Sequence, residues 1–79
     1  MKIRIKLYAS LRKYLPGTEI GEEVIIKVAQ GSTIKEILSS FTIDEKLAKI
    51  IFVNGVHKRL DHILQENDLL VVFPPIGGG

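Results

Sequence analysis

The last eleven residues of the chain, 69–79, read LLVVFPPIGGG, and they decide both the centre of the fold and the nature of its end. Leu69–Phe73 is an unbroken run of apolar residues, which is typical of a strand in the middle of a sheet. Pro74 and Pro75 end that strand, because proline has no backbone N–H to donate to a sheet ladder. Residues 77–79 are three glycines, so the chain finishes on a segment without side chains.

The first strand lies at residues 2–8, where apolar and polar side chains alternate. A period of two indicates a half-buried strand with one face toward the core. The inward side chains are Ile3, Ile5 and Leu7, and the outward ones are Lys2, Arg4, Lys6 and Tyr8. Residues 23–28 alternate in the same way and predict a second strand, antiparallel to the first, with Ile25 outward. Between the two, Ser10 is the predicted cap of a short helical turn that Pro16-Gly17 ends.

The clearest helix signal lies at residues 33–41. Thr33 followed three residues later by Glu36 has the spacing of a capping box, and apolar residues recur behind Thr33 at helical spacing. These apolar residues are Ile34, Ile37, Leu38 and Phe41. Their stripe predicts a helix that packs on a sheet.

The segment after the helix is predicted to hold a weak turn at residues 44–48 and a third strand at Ile50–Val53. Asn54-Gly55 follows that strand directly and is a strong signal for a tight turn. A polar turn at residues 66–68 precedes the last strand. The irregular connection between the two turns is predicted to be anchored by Leu60, Ile63 and Leu64.

The order of predicted elements is strand, strand, helix, strand, irregular segment and strand. The last strand is expected beside the first and parallel to it, with the helix crossing one face of the sheet. This is an α+β fold of the ubiquitin-like β-grasp type, with a mixed sheet of four or five strands and one main helix. We assign residues 1–73 to the β-grasp domain and residues 74–79 to an extended, flexible C-terminal tail.

Composition excludes several kinds of chemistry. The 79-residue chain has no cysteine, which excludes disulfides, thiolate metal sites and a cysteine nucleophile. His57 and His62 lack a strong third ligand, so we interpret them as solvated loop histidines and expect no metal. The sequence holds no phosphate-binding glycine motif or serine nucleophile motif, and so indicates no active site of its own. The longest apolar run is five residues, far below the ~20 that span a bilayer, so we expect a cytoplasmic protein without a membrane partner.

Charge is balanced overall but unevenly distributed. A net charge of +2 is too small to indicate a nucleic-acid partner. Five of the eleven basic residues nevertheless lie in the first thirteen positions, which contain no acidic residue: Lys2, Arg4, Lys6, Arg12 and Lys13. This cluster has two interpretations, steering toward an acidic partner or the ordinary solvated face of a strand and a helix.

The tail at residues 74–79 also has two interpretations when taken alone. A stiff Pro-Pro pair followed by glycines holds the terminal carboxylate away from the domain, and residues without side chains fit a narrow channel in a partner. Terminal glycines are equally common in frayed ends without function. In either case we expect the tail to be mobile in the isolated protein.

Several short motifs occur in an order that resembles the ubiquitin-like sulfur carriers. The resemblance is greatest to the small subunits of molybdopterin synthase, with the thiazole-synthesis sulfur carriers as near relatives. The Pro-Pro pair favours the molybdopterin branch, because the thiazole carriers usually lack it. The motifs are Ile3-Arg4-Ile5-Lys6-Leu7-Tyr8-Ala9, Leu11-Arg12, Gly31-Ser32-Thr33-Ile34, Val53-Asn54-Gly55, Leu60-Asp61, Asn67-Asp68 and Phe73-Pro74-Pro75-Ile76-Gly77-Gly78-Gly79.

The resemblance implies that Gly79 is adenylated by a ubiquitin-activating-like enzyme, which uses ATP and Mg²⁺. A persulfide sulfur donor then converts the adenylate to a thiocarboxylate, and the carrier binds no cofactor itself. The tail enters the active site of the large molybdopterin synthase subunit, where its sulfur builds the dithiolene of molybdopterin. The implied threading residues are Pro74, Pro75, Ile76, Gly77 and Gly78, and the implied partner-facing residues are Tyr8, Ile51, His57, Val71 and Phe73.

The resemblance leaves other functions open. His57 stands where the family usually has an apolar contact residue, and the acidic turn of the family is reduced to Glu66-Asn67-Asp68. Carriers for thiazole synthesis, tRNA thiolation or protein conjugation are alternatives, because the same activated tail serves them all. A more distant alternative is a non-catalytic β-grasp interaction or RNA-binding module, against which we count a lack of exposed aromatic stacking pairs. Tyr8 and Phe73 could instead be satellite core residues under the 9–16 loop.

Overall fold

The computed structural model describes residues 1–15 and 22–75. In these residues it contains strands β1 (Lys2–Leu7), β2 (Val24–Lys27), β3 (Ile50–Val53), β4 (Val56–His57) and β5 (Leu69–Phe73). The α-helix α1 (Ile34–Ser40) and 3-10 helices at Ala9–Tyr14 and Glu45–Leu47 complete the set of helices in the described parts. The strands form one sheet in the order β2-β1-β5-β3-β4.

The two central strands, β1 and β5, run parallel, with Ile5 opposite Leu70 and Leu7 opposite Val72. The other neighbours in the sheet are antiparallel. The long connection that a parallel pair requires carries α1, which packs on one face. The predicted α+β, β-grasp fold is therefore confirmed, with the two-residue β4 as its fifth strand.

The core lies between α1 and one face of the sheet. Every second residue of β1, β3 and β5 is buried there, as the alternation of side chains along a strand requires. The helix contributes Ile34, Ile37 and Leu38 to the same cluster. The buried side chains of the three strands are Ile3, Ile5, Leu7, Ile51, Val53, Leu70 and Val72.

Two local predictions differ from the structure. Ser10 does not cap the first 3-10 helix, because that helix already begins after Tyr8, which has no side-chain capping bond. The chain passes from β1 into the helix without a spacer, and the Leu11 N–H donates to the Tyr8 carbonyl. Ile63 does not anchor the irregular connection with its side chain, which is 52% exposed. Its backbone pairs with Thr33 instead, and the buried Leu64 provides the anchor.

A polar cluster fixes the start of β5. Asn54 and Gly55 both have positive φ, at 52° and 81°, which is the geometry of the tight hairpin turn that Asn-Gly favours. The buried Asp68 carboxylate accepts hydrogen bonds from Asn54 Nδ2 at 2.8 Å and from the Gln65 N–H at 2.7 Å. The Leu69 N–H donates to Asn54 Oδ1 at 2.9 Å. The β3–β4 turn and the start of β5 are thus joined by side-chain bonds as well as by the ladder.

The helix α1 begins with the predicted capping box. Thr33 Oγ1 accepts a hydrogen bond from the Glu36 N–H at 3.2 Å, and Glu36 Oε1 accepts one from the Thr33 N–H at 3.0 Å. We expect Thr33→Ala to lower the free energy of unfolding by about 1 kcal/mol, because an N–H in the first turn loses its acceptor. Urea denaturation measures this, with the exposed Ser39→Ala in the same helix as control. Equal losses for the two variants would contradict a specific capping effect.

Some predictions fall outside what the structure describes. Pro16-Gly17, and residues 76–79 of the tail, lie outside the described residues, whereas Pro74 and Pro75 lie within them. Over the described ranges, no helix has the length and apolar character needed to cross a bilayer. The same ranges hold no group of three or more His, Cys, Asp or Glu residues that could bind a metal ion.

Candidate functional site

The face of the sheet opposite α1, here called the outer face, carries the side chains that alternate with the core residues. The sheet register places Lys6 beside Val71, and Val71 beside Phe52. His57 continues this row on β4, opposite Phe52. Phe73 lies opposite Ile50 in a second row. Residues from four strands therefore meet on one surface.

Three aromatic residues, Tyr8, Phe52 and Phe73, form a cluster on the outer face. The rings of Tyr8 and Phe73 are stacked, with centroids 4.6 Å apart and an interplanar angle of 11°. Phe52 meets Phe73 edge-on at 6.3 Å and also meets His57 edge-on at 6.1 Å. Such pairs contribute about 0.5–1.5 kcal/mol each beyond the area they bury. The cluster is therefore a defined feature of the outer face, even though all three side chains are only half-buried.

A shallow apolar depression of about 300 Å³ adjoins the cluster. Leu69 and Val71 of β5 supply its aliphatic part, and Gly55 of the hairpin turn supplies one edge. Phe52 and Phe73 close it on the aromatic side. We call the depression and the aromatic cluster together the apolar patch. An apolar patch on one face of a sheet is typical of a surface that binds another protein.

The start of the tail is held at the margin of this patch. The Tyr8 N–H donates to the Val72 carbonyl at 3.2 Å, and the Lys49 N–H donates to the Phe73 carbonyl at 2.9 Å. Strand β5 is therefore hydrogen-bonded up to its last residue, and Pro74 follows from a fixed point beside the Phe73 ring. Pro74 and Pro75 are themselves half-buried. The domain thus sets the origin of the tail next to a surface suited to a partner.

Four of the residues expected to face a partner lie together on the outer face: Tyr8, His57, Val71 and Phe73. Neither Tyr8 nor Phe73 belongs to the buried core or to the half-buried residues packed against it. Both rings are half-buried and stack on each other at the outer face, which favours a surface role over a satellite core under the 9–16 loop. Tyr8 and Phe73 do form a stacked pair, but this pair is half-buried.

Ile51 is not on the outer face. Its side chain is only 4% exposed, and it lies opposite the buried Val72 on the α1 side of the sheet. Because side chains alternate along a strand, its neighbours Ile50 and Phe52 point outward instead. Phe52 is the site residue that the sequence analysis missed. The register of β3 with β5 identifies it, because the sequence of an unbroken apolar strand does not show which of its side chains point outward.

The sequence of the chain was compared with those of known protein families. Residues 5–79 match the ThiS family, which is nearly the whole chain and includes the three glycines at its end. The chain belongs to the ThiS family. No curated protein sequence matches the chain.

Solved structures similar to this ThiS-family chain have the same fold. SAMP1 from Haloferax volcanii aligns with a TM-score of 0.70 at 19% identity, over 100% of both chains. A putative molybdopterin converting factor subunit 1 from Pyrococcus furiosus aligns with a TM-score of 0.68 at 22% identity, over 95% of this chain and 98% of the other. A chain of the complex of subunits 1 and 2 of molybdopterin-converting factor from Helicobacter pylori aligns with a TM-score of 0.58 at 21% identity, over 100% of both. These structures share the β-grasp fold of this chain.

Proposed function

We propose that this ThiS-family chain is a sulfur carrier for molybdopterin synthesis, and that the carboxyl group of Gly79 carries the sulfur as a thiocarboxylate. The observation that carries the proposal is the family match, which runs through Gly77-Gly78-Gly79. The position of the tail supports it, because Pro74 follows directly from the apolar patch. A carrier requires both features, a reactive end and a surface that brings this end to its partners.

The chemistry proceeds in two steps on a partner enzyme. A carboxylate oxygen of Gly79 attacks the α-phosphorus of ATP, pyrophosphate leaves, and the product is an acyl-adenylate. The terminal sulfur of a persulfide attacks the acyl carbon and AMP leaves; a second thiol of the donor system then reduces the S–S bond and frees the thiocarboxylate. Mg²⁺ and ATP belong to the activating enzyme. A thiocarboxylate is a sulfur nucleophile at neutral pH, so a chain without cysteine delivers sulfur from its main chain.

The acceptor in this proposal is a large subunit that binds the outer face and receives the tail. The similarity to a chain of the H. pylori complex of subunits 1 and 2 supports a partner of this kind. Pro74 and Pro75 make a stiff link between Phe73 and the last residues, since proline fixes its own φ and restricts the residue before it. Ile76 and the glycines at 77–79 then enter the acceptor site, where the absence of side chains suits a narrow channel.

The test of the carrier chemistry is the intact mass of the protein. Incubation with an activating enzyme, ATP–Mg²⁺ and sulfide is expected to add about 16 Da, as sulfur replaces one carboxyl oxygen. A parallel incubation without ATP is the control and is expected to show no change. A chain that stays at its original mass with a competent activating enzyme would contradict the carrier function.

The molybdopterin step is tested separately. The thiocarboxylated chain is mixed with the large subunit and the cyclic pyranopterin precursor, and the dithiolene product is measured. We expect the carrier to return to its original mass as product forms. Loss of the added mass only with a thiazole precursor or a tRNA acceptor would assign the carrier to one of those pathways instead.

Protein conjugation is the second candidate function. It is favoured by the similarity to SAMP1, the small archaeal modifier protein 1, over the full length of both chains. In this case the Gly79 adenylate is attacked by a lysine amine of a target, and AMP leaves as an isopeptide bond forms. The last tryptic site of the chain is Arg59, so Gly77→Arg is used to shorten the tryptic remnant to Gly-Gly, and this remnant on target lysines would support conjugation.

The apolar patch is expected to carry most of the docking energy. Phe73→Ala or Tyr8→Ala should weaken binding to the large subunit by about 1–3 kcal/mol, because each removes an aromatic anchor from the outer face. Titration calorimetry measures the loss, and Tm is expected to change little. Ile63→Ala is the matched control, since Ile63 is 52% exposed and its backbone pairs with Thr33 at the start of α1, away from the patch. An equal loss of binding for Ile63→Ala would contradict the assignment of the patch.

A further inference from the structure

The outer face also carries a row of positive charges beside the apolar patch. Lys2, Arg4 and Lys6 occupy alternate positions of β1, so their side chains leave the same face of the sheet. Lys27 of β2 lies opposite Lys2 and extends the row across the neighbouring strand. We call these four residues the cationic ridge. The ridge borders the patch directly, because Arg4 lies opposite Leu69 and Lys6 lies opposite Val71.

Most of this charge is not neutralised within the described residues. Arg4 forms an ion pair with Glu23 at 3.5 Å, and both side chains are about 40% exposed. The lysines of the ridge have no carboxylate within 4.0 Å there. The Lys6 ammonium lies 6.0 Å from the centre of the Tyr8 ring, which joins the ridge to the aromatic cluster. The Glu66 carboxylate accepts a hydrogen bond from the Lys2 backbone N–H, so it also lies beside the ridge.

Acidic and basic residues are mixed on the elements of the opposite face. Glu36 belongs to α1, and Asp44 and Glu45 belong to the second 3-10 helix and its cap. Glu45 is paired there with Lys35, at 3.9 Å. Lys35 and Lys46 lie on the same two elements, so these elements carry no row of like charge comparable to the ridge.

We propose that the cationic ridge docks against an acidic margin of the large subunit while the apolar patch docks against that subunit's apolar centre. This inference rests on the proposed function and adds the chemistry of the partner surface. Single exposed ion pairs contribute little to affinity, but a row of like charges raises the rate of encounter with an opposite surface. The ridge orients the carrier so that the tail, which starts at Phe73, meets the acceptor site.

A protein partner fits this surface better than a nucleic acid does. The surface between the ridge and His57 is aliphatic as well as aromatic, with Leu69 and Val71 in the apolar depression. Tyr8 and Phe73 stack on each other, so one face of each ring is already covered and is closed to a base. Nucleic-acid platforms instead offer open aromatic faces along a positive groove.

The experiment compares two double variants with the same change in net charge. Lys2→Glu/Lys6→Glu reverses two of the four charges of the ridge and so cancels its net charge, and Lys35→Glu/Lys46→Glu reverses two exposed lysines of the opposite side. Association with the purified large subunit is followed by stopped-flow fluorescence at about 25 and 250 mM NaCl, a range over which screening changes strongly. We expect the ridge variant to associate about tenfold or more slowly at low salt, with little dependence on salt. The control variant should keep the wild-type rate and salt dependence to within about twofold.

Lys6→Gln/Lys27→Gln provides a milder test if the double glutamate variant is not folded by circular dichroism. It should slow association at low salt in the same direction, by a smaller factor. Equal effects of the ridge and control variants would show that only net charge matters, and would overturn the proposal. Unchanged association of both ridge variants would overturn it too. The proposal would also be overturned if the wild-type chain bound a single-stranded RNA probe through the ridge and both ridge variants bound the large subunit as the wild type does.

The mass assay separates this inference from the carrier function. If the ridge variants gain about 16 Da with the activating enzyme but associate with the large subunit at the wild-type rate, only the ridge proposal fails. If the wild-type chain gains no mass, the carrier function fails as well.

Discussion

A chain that ends at Gly77 is expected to keep the Tm of the full chain and to lose all detectable adenylation. Deletion of Gly78 and Gly79 removes no side chain, so it takes no apolar side-chain area out of the fold. The core residues, from Ile3 to Val72, all stay in place. The carboxylate, however, is displaced by two residues from the point that the activating enzyme must reach, or about 7 Å along an extended chain.

The measurements are ATP–pyrophosphate exchange and the gain of mass with sulfide. One bulky residue added after Gly79 should abolish both, because it moves the carboxylate and places a side chain in the channel. Gly77→Ala is the control for length, since it keeps the terminal Gly78-Gly79 and adds only one methyl group to the threading segment, and we expect it to lose far less exchange than the truncated chain. Pyrophosphate exchange by the truncated chain, or its acceptance of sulfur, would contradict the carrier proposal.

The sequence was sufficient to predict the parts of the fold in which side chains alternate along a strand or a helix cap is present. Residues 2–8 show a period of two, and the structure places the predicted inward residues in the core. Thr33 and Glu36 form the capping box that their spacing predicts. In both cases a local pattern determines a local structure, so the prediction needs no knowledge of distant contacts.

The wrong predictions for β3 and β4 concern features that are decided by pairing between strands and not by the local sequence. Ile50–Val53 is apolar throughout, so its sequence does not show which side chains face the core. The pairing of Ile51 with Val72 decides it, and this turned the expected interface residue inward and Phe52 outward. The strand β4 was missed for a related reason. Two residues after a tight turn carry no periodic signal, and they form a strand because β3 offers them a free edge.

The chemistry of the tail and the arrangement of the basic residues could not be predicted from local sequence patterns, for different reasons. The chemistry assigned to Gly79 comes from the match of the sequence to a family, because three glycines have no side chains that could indicate a reaction. The cationic ridge can be identified only from the register of the sheet. Lys27 is far from Lys2 along the chain, and only the antiparallel pairing of β1 and β2 brings them side by side. The basic N-terminal cluster in the sequence is also divided by the fold, since Arg12 and Lys13 lie on the first 3-10 helix.

We expect two adjacent residues of β5 to have different roles, one in the core and the other in the docking surface. Leu70→Ala should lower the free energy of unfolding by about 2–5 kcal/mol, because Leu70 is fully buried and its truncation leaves a cavity. Leu69→Ala should cost about 1 kcal/mol or less, because Leu69 is half-buried on the outer face and makes cross-strand contacts there. Urea denaturation measures both free energies.

Binding should show the opposite order for the same pair of variants. Leu69 lines the apolar depression, so Leu69→Ala is expected to weaken docking to the large subunit, whereas folded Leu70→Ala should bind almost as the wild type does. A domain of this size has a total stability on the order of 5–10 kcal/mol, so Leu70→Val replaces Leu70→Ala if the latter is unfolded at room temperature. Equal losses of stability for the variants at positions 69 and 70 would contradict the assignment of the two faces of β5. Because β5 separates the core from the docking surface within one residue, a reversed order in both measurements would place the partner on the α1 side of the sheet.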